Sequence, residues 1–331
     1  MMNYKKIFKF LGFKFGTLII LLIAVSTISF ILVEISPIDP VRTYIGEMSV
    51  SQEKLTNLNE YWGVDQPLHV KVVNWLGNLA NGNLGTSLIY RTPVTEVIGE
   101  RFSASFMLMF TSWLLSGILG FFLGVLAGFK RGSWIDKGVK IYSYIIYSTP
   151  VFWIALILLM IFSVQLGWFP TGLAVPIGKT AGNVTFVEWL HRLILPAFTL
   201  SITGIAQIAL FTRSKLVEVS SLDYFFFAKA RGEKGWSLIK RHGIRNILLP
   251  AVTLQFLSFS ELFGGTILVE QVFSYPGIGQ AAVTAGLQSD IPLLLGIVLI
   301  STIFVFCGNS MADLIYKFVD PRIRESEANE F

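Results

Sequence analysis

The sequence predicts an all-α polytopic membrane protein with six transmembrane helices. Hydrophobic residues make up 53% and charged residues only 14% of the 331 residues, and the mean hydropathy is +0.65. Soluble domains carry about 25% charged residues. Six uncharged apolar runs are each long enough, at about 20 residues, to cross a bilayer as a helix. These features favour a membrane protein over a soluble enzyme or binding domain.

The six apolar runs define the elements in chain order. The first run is not a typical signal peptide, because its apolar core is too long and no A-x-A cleavage site follows it. Pro196 and Pro250 stand near the start of the fourth and fifth runs, in similar Leu-Pro-Ala segments. We expect each proline in the first turn of its helix, although an inverted repeat is an alternative. The predicted spans are residues 15–33, part of 102–129, 141–166, 193–212, 247–269 and 291–312.

Basic residues indicate the orientation of the chain. Most of the 26 Lys and Arg residues lie in the N-terminal segment, in the loops after the second and fourth spans, and in the C-terminal segment. Because cytosolic loops carry an excess of Lys and Arg, both termini are predicted to face the cytosol. The net charge of +5 is explained by this bias and calls for no nucleic-acid partner. The single cysteine, Cys307, excludes an intrachain disulfide.

The loops divide the chain into segments. The long outer loop is expected to be a mainly helical extracytoplasmic domain, with helices near residues 52–62 and 70–79 and a turn at Asn81-Gly82-Asn83. The inner loop 213–246 is the most basic polar segment. The expected organisation is 1–33 (N-terminus and first span), 34–101 (outer domain), 102–320 (five-helix core) and 321–331 (cytosolic tail).

The inner loop contains a predicted short helix at residues 222–231 with three consecutive phenylalanines. Ser220 or Ser221 can cap its N-terminus, Asp223 lies where the helix dipole favours an acid, and Gly232 can end it. Neighbouring residues on a helix point about 100° apart, so one ring can pack on the bundle while another faces a partner. An exposed apolar cluster usually marks a binding surface. We therefore predict a docking helix, the alternative being that the rings pack wholly under the bundle's own rim.

Glu261 is an ionisable residue in the middle of the fifth apolar run. Such a residue is costly in a bilayer unless it faces a cavity or a partner. It either lines a translocation path or makes a structural hydrogen bond to another helix or subunit, and the sequence leaves both open. The adjacent Gly264 and Gly265 permit close helix packing or local unwinding, and packing is the simpler role.

No motif for catalysis or nucleotide binding is found. Gly172 and Gly178-Lys179-Thr180 imitate a phosphate-binding loop, but five residues separate the glycines where that loop needs four, and no strand precedes them. H-E-x-x-H and G-x-S-x-G motifs are absent. The three histidines, His69, His191 and His242, are too scattered to form a metal site by themselves. We expect no catalytic residue and no bound metal or cofactor in this chain.

Several motifs together resemble the permeases of ABC importers, most closely those of the dipeptide, oligopeptide and nickel class. One departure stands out: the general importer signature has a glutamate six residues before the loop glycine, and Phe226 occupies that position. The motifs are Asp223-Tyr224 with Ala228, Ala230 and Gly232; His242, Arg245-Asn246 and Leu249-Pro250; and residues 37–40, 82–87, 149–153, 269–279 and 320–324.

The resemblance implies a machine with several subunits in the bacterial cytoplasmic membrane. Such permeases pair with a second, homologous permease, bind two cytosolic ATPase subunits that hold ATP and Mg²⁺, and receive cargo from an extracytoplasmic solute-binding lipoprotein. Di- and oligopeptides are the expected cargo, with nickel, a metal chelate or an oligosaccharide as alternatives. A stand-alone secondary transporter is less favoured, because Glu261 is nearly alone as an intramembrane charge. The implied ATPase contacts are Asp223, Tyr224, Phe225, Phe226, Phe227, Ala228, Ala230, Arg231 and Gly232.

Overall fold

The computed structural model describes residues 4–35, 41, 45, 51–53, 55–56, 66–172 and 183–319. Over these residues the chain is helical, and its extended pairing is a single bridge between Thr86 and Pro93. The helices are α1 (Tyr4–Ile35), α2 (Leu68–Ala80), α3 (Val94–Phe129), α4 (Trp134–Tyr147), α5 (Val151–Leu158, with a π-helical extension Leu159–Gln165), α6 (Phe186–Val219), α7 (Asp223–Ala230), α8 (Gly235–Leu238, with a π-helical extension Ile239–Ile244), α9 (Arg245–Leu257), α10 (Phe259–Val272), α11 (Ile278–Leu287) and α12 (Ile291–Val319).

Four of the six predicted membrane helices are confirmed as single long apolar helices, and the other two predicted spans correspond to bent helix pairs. Within the described residues, α1, α3, α6 and α12 are each long and apolar enough to cross a membrane. The third predicted span corresponds to α4 with α5, and the fifth to the segment Gly235–Leu257 with α10. The all-α polytopic fold class is therefore as the sequence indicates.

The third span is not one straight helix. α4 ends at Tyr147, α5 begins at Val151, and the two are inclined at 107°. Pro150 between them lacks an N–H donor and disfavours helical geometry in the residue before it. The fifth span bends by 49° around Ser258. There the Ser258 hydroxyl donates to the Gln255 carbonyl at 2.9 Å, a local hydrogen bond of the kind that bends helices.

The expectation that Pro196 and Pro250 lie in first turns is wrong, since both lie inside helices. α6 begins well before Pro196, because Thr185 and Glu188 form a capping box: the Glu188 N–H donates to the Thr185 hydroxyl at 3.3 Å, and the Thr185 N–H donates to the Glu188 carboxylate at 3.0 Å. This cap satisfies N–H groups of the first turn. Because of this cap, α6 includes a charged segment that hydropathy alone assigns to a loop.

The chain forms two compact units, Met1–Ala104 with Gly277–Phe306, and Ser105–Pro276 with Cys307–Phe331. In the second unit, α3 and α6 approach each other closely along a row of glycines. A Cβ atom added to Gly124 would lie 2.6 Å from the Ala209 carbonyl oxygen, and atoms added to Gly120 and Gly128 would lie within 3 Å of α6 side chains. Small residues four apart allow such backbone contact between membrane helices. The four-residue spacing of these glycines is visible in the sequence, but the helix that they contact is not.

A buried ion pair joins α4 to the C-terminal part of α6. Arg213 donates two hydrogen bonds to the Asp136 carboxylate, at 2.8 and 2.9 Å, and the Gly132 N–H donates a third at 2.9 Å. Asp136 is almost fully buried, so this bidentate pairing satisfies a charge that would otherwise be costly to bury. The pair holds the loop between α3 and α4 against α6.

In the first unit, the motif at residues 82–87 is connected to the start of α12 by hydrogen bonds. The buried Asp290 accepts hydrogen bonds from the Ser87 hydroxyl at 2.5 Å, the Ile89 N–H at 3.0 Å and the Leu293 N–H at 3.1 Å. It thus caps α12 and fixes the loop that carries the motif. Gly85, with φ +85°, comes against Pro292, where a Cβ would lie 3.4 Å from the proline Cβ.

The other expectations for the outer loop are partly covered by the structure. α2 confirms the helix expected at residues 70–79, and Asn81–Asn83 form the expected turn, with Gly82 at φ +74°. The helix expected at 52–62 lies mostly outside the described residues. The motifs at 37–40 and 320–324, the tail 321–331 and the loop residues Gly178, Lys179 and Thr180 also lie outside them.

Gly124→Ala is expected to lower the stability of the protein by roughly 1–3 kcal/mol, the usual cost of overpacking. The added methyl group meets the α6 backbone, which cannot rotate away as a side chain would. Thermal unfolding in detergent would measure the change. Gly138→Ala is the matched control, because a Cβ at Gly138 of α4 meets nothing within 4 Å. Equal melting temperatures for the two variants would contradict the close packing.

Asp290→Ala is expected to destabilise the protein by roughly 2–4 kcal/mol, because it leaves three donors without their acceptor. The measurement is again thermal unfolding in detergent. Glu96→Gln, in the exposed first turn of α3, should stay within about 0.5 kcal/mol of the parent protein. A similarly small effect for Asp290→Ala would show that the motif at residues 82–87 is held by other contacts.

Candidate functional site

The predicted short helix is present as α7. Its C-terminal end follows the sequence expectation: Gly232 has φ +92°, the Glu233 N–H donates to the Ala228 carbonyl at 3.3 Å, and the Gly232 N–H donates to the Lys229 carbonyl at 3.0 Å. This is the Schellman pattern of a glycine-terminated helix. Asp223 lies in the first turn, at the positive end of the helix dipole.

The predicted capping by Ser220 or Ser221 is wrong. Leu222 is the N-cap residue of α7 and provides no side-chain hydrogen bond. Both serine hydroxyls donate backwards instead, Ser220 to the Leu216 carbonyl at 2.6 Å and Ser221 to the Glu218 carbonyl at 2.7 Å. Because α6 extends to Val219, these serines complete the end of α6 rather than the start of α7.

α7 has one buried face and one exposed face. Phe225 is only 6% exposed, and Ala228 is buried with it. Both belong to an apolar cluster, the α7 anchor, whose members are Val125, Leu216, Val219, Phe225, Ala228, Leu238, Ile239 and Ile247. Phe226 and Phe227, by contrast, are 55% and 66% exposed. The anchor fixes the helix on the bundle and directs two aromatic rings outward.

The other residues of the predicted site lie on the outer side of α7 or at its ends. Tyr224 is partly exposed, and Arg231 stacks over the Phe227 ring at 5.9 Å from its centroid. A cleft of about 410 Å³ borders the helix. Its charged lining is mainly basic, with Arg131, Lys229 and Lys234 facing a single acid, Glu233. Asp223, Ala230 and Gly232 are also exposed.

Polar contacts connect α7 to the base of the fifth span. Asn246 donates a hydrogen bond to the Tyr224 hydroxyl at 2.9 Å and another to the His242 carbonyl at 2.7 Å. The His242 Nε2 lies 3.2 Å from the Glu233 carboxylate. The hydrogen bond from His242 lowers the pKa of Glu233, with Arg241 at 3.5 Å adding to the effect, while partial burial raises the pKa of Tyr224. Glu233 was not among the predicted site residues, although its position directly after Gly232 marks the end of the helix.

A second cavity, of about 350 Å³, lies where the two bent spans break. Glu261, in the first turn of α10, projects into it together with Gly264 and Gly265. Gly265 packs against α6, since a Cβ there would lie 3.1 Å from the Leu200 side chain, whereas Gly264 has nothing within 4 Å. The structure therefore supports the packing role for Gly265 only. The polar lining of this cavity comes from Tyr147, Thr149, Thr203, Gln207 and Ser258.

Family models match nearly the whole length of the chain. Residues 120–325 match the binding-protein-dependent transport system inner membrane component, and residues 7–109 match the N-terminal part of such components. The chain belongs to this family of permeases. The resemblance to importer permeases is thereby confirmed, and both α7 and Glu261 fall inside the larger matched region.

Three relatives illustrate the similarity of this permease to others. An oligopeptide transport system permease protein of Bacillus subtilis is 37% identical over 92% of this chain and 95% of its own length. A di/tripeptide transport system permease protein of Pseudomonas aeruginosa is 35% identical over 95% of this chain and 98% of its own. A glutathione transport system permease protein of Salmonella choleraesuis is 34% identical, over 92% and 94% respectively.

Phe225→Ala is expected to destabilise the permease by roughly 3–5 kcal/mol, because it leaves a cavity in the α7 anchor. Phe227→Ala is the matched control on the same helix, and because its ring is exposed it should change stability by no more than about 0.5 kcal/mol. Thermal unfolding of the isolated permease in detergent distinguishes them. If both variants melted alike, the division of α7 into two faces would be incorrect.

Proposed function

We propose that this permease is the membrane subunit of an ATP-driven importer that moves di- and oligopeptides across the bacterial cytoplasmic membrane. The relatives described above are named for oligopeptides, di- and tripeptides and glutathione. That pattern favours a peptide cargo over nickel, a metal chelate or an oligosaccharide. Family membership supports transport rather than catalysis as the role of the chain, and in this proposal ATP hydrolysis belongs to separate subunits.

The proposed assembly contains a second, homologous permease, two cytosolic ATPase subunits and an extracytoplasmic solute-binding lipoprotein. ATP and Mg²⁺ bind to the ATPase subunits, and no cofactor is assigned to this chain. Both termini and the loop 213–246 face the cytosol, as the distribution of Lys and Arg favours. Residues 34–101 then form the outer domain, on the side where a binding protein delivers cargo, and residues 102–320 form the permease core.

The proposed coupling role is supported by the division of α7 into a buried face and an exposed face. Phe225 and Ala228 hold the helix on the bundle, while Phe226 and Phe227 remain exposed beside a basic cleft. An exposed aromatic pair on a rigid helix provides a large contact area that can be buried with little loss of conformational entropy. We therefore assign the exposed face of α7 to contact with an ATPase subunit.

Movement of α7 would reach the bundle by two routes. The first is the short connection through Ser220 and Ser221 into α6. The second is the set of hydrogen bonds through Tyr224, Asn246 and His242 into the fifth span. ATP binding then shifts the bundle between inward- and outward-facing states, provided that ATP binds the two states with different affinity.

Phe226 stands at the position where the general importer signature has glutamate. Docking through this residue would depend on apolar burial, which salt screens little, rather than on a carboxylate contact. In the same proposal Glu261, Gly264 and Gly265 line the translocation path, because they border a cavity between broken helices, a common place for transport sites.

Phe226→Asp is expected to reduce co-purification of the ATPase subunits at least tenfold and to abolish ATP-driven peptide uptake, because it introduces a charge into an apolar contact. Phe226→Leu should retain most of the association, since it keeps an apolar side chain. Both variants should melt like the parent permease when isolated, because Phe226 lies outside the α7 anchor. Normal assembly and uptake with Phe226→Asp would refute docking through this face.

A further inference from the structure

We propose that Glu261 forms a cation subsite within the 350 Å³ cavity and receives the protonated amino group of a peptide cargo during its passage. This inference rests on the proposed peptide import and adds the chemical group that the permease itself recognises. Four observations support it: the depth of the cavity, the unpaired carboxylate, the composition of the lining, and the size of the space.

We infer from the position of Glu261 along the fifth span that the cavity lies within the membrane interior. Glu261 is separated from Arg245 by roughly 24 Å of helix rise and from Val272 by roughly 16 Å, at 1.5 Å per residue. The hydrocarbon core is about 30 Å thick. Three elements border the space: the break between α4 and α5, the middle of α6 from Leu200 to Gln207, and the start of α10. Interrupted helices at this depth are tolerated where they line a water-filled cavity.

The carboxylate of Glu261 makes no hydrogen bond and no ion pair with any residue in the described part of the chain. Its side chain is exposed to the cavity. An ionised carboxylate at this depth is favourable only with water or with a positive partner. Asp136 shows the contrast within the same unit, because its buried carboxylate is held by Arg213 at 2.8 Å. Within the described residues no cationic group pairs with the Glu261 carboxylate. A positive group of another molecule can therefore bind there.

The lining of the cavity suits a cargo with one constant charge and variable side chains. Among the described residues, Glu261 is the only charged one in the lining, so the local field favours cations. Hydroxyl and amide groups both donate and accept hydrogen bonds, and they can pair with peptide groups of many sequences. Most of the remaining lining is apolar: Ile146, Val151, Leu200, Leu262 and Leu268.

The size of the cavity agrees with partial rather than complete enclosure of a peptide. At about 350 Å³ it lies near the lower end of small-molecule sites, which suits an N-terminal residue and its neighbour. A transport site must bind well enough to admit the cargo and weakly enough to release it. A single carboxylate without further charged partners meets both requirements.

The test uses the complete transporter, with partner permease, ATPase subunits and binding protein, in proteoliposomes. Uptake of a labelled tripeptide with a free amino group is compared for the parent, Glu261→Gln, and the double variant Glu261→Gln with Gln207→Glu. Glu261→Gln is expected to lower uptake about tenfold, the effect of losing one charge-assisted hydrogen bond. The double variant should regain at least a third of parental uptake, because it returns a carboxylate to the same cavity. Glu96→Gln, in the exposed first turn of α3, is the matched control and should behave like the parent.

Assembly separates recognition from structure. Co-purification of the ATPase subunits should be unchanged in Glu261→Gln, because Glu261 does not line the cleft beside α7. Parental uptake with Glu261→Gln would overturn the subsite. Failure of the double variant to recover uptake would also overturn the subsite. It would indicate that Glu261 makes a structural hydrogen bond to a neighbouring subunit, which a carboxylate at position 207 cannot replace.

A second measurement examines the cavity without any cargo. Thr203→Cys is placed in a Cys307→Ser background, and its modification rates by cationic and anionic methanethiosulfonate reagents are compared. The cationic reagent should react several-fold faster, and Glu261→Gln should remove that preference; equal rates with Glu261 present would overturn the subsite. If the parent transporter took up no peptide while the preference persisted, peptide import would fail and the cation subsite would stand.

Discussion

The close approach of α3 and α6 is the constraint on which the rest of the second unit depends. Helices in lipid gain no hydrophobic driving force by meeting each other, so contact distance decides how firmly they associate. Gly120, Gly124 and Gly128 allow backbone contact along several turns. Leu216 connects this seam to α7: a Cβ on Gly128 would lie 2.9 Å from its side chain, and the same residue lies fully buried in the α7 anchor with Phe225. The position of α7 is therefore set by the packing of two membrane helices.

Leu216 also contacts the base of the fifth span. A Cβ at Gly243 would lie 2.9 Å from Leu216, within the π-helical segment Ile239–Ile244. π-helical turns are uncommon and are frequently found at functional positions. Ile239 and Ile247, on either side of Gly243, belong to the α7 anchor as well. α7 is thus held by two membrane spans at once, with an irregular turn in one of them, so that a push on α7 acts on both spans together.

Hydropathy and charge were sufficient to predict the six apolar segments and the short inner helix, because both depend on local composition. The bends were not predictable in the same way: Pro150 is visible in the sequence, but hydropathy does not register Ser258, which stands at the other bend and bonds to the Gln255 carbonyl. The start of α6 depends on a capping box formed by Thr185 and Glu188, outside the apolar run. Helical periodicity predicted that the phenylalanines would face different directions. It could not select Phe225 as the buried one, because that choice depends on Leu216 and Ile247, which are distant along the sequence or on other helices.

α6 and the fifth span each extend from the α7 anchor to the cavity of Glu261. On α6, Leu216 lies in the anchor and Thr203 lines the cavity, roughly 20 Å apart along the helix. On the fifth span, Ile247 lies in the anchor and Glu261 in the cavity. Packed helices respond to a displacement as stiff elements with discrete arrangements rather than by continuous deformation. A displacement of α7 that tilts these two helices differently would change the distance between Gln207 and Glu261, and with it the space available to a cation. The geometry of one unit thus joins the exposed face of α7 to the cavity of Glu261, through two helices that share an anchor and both line that cavity.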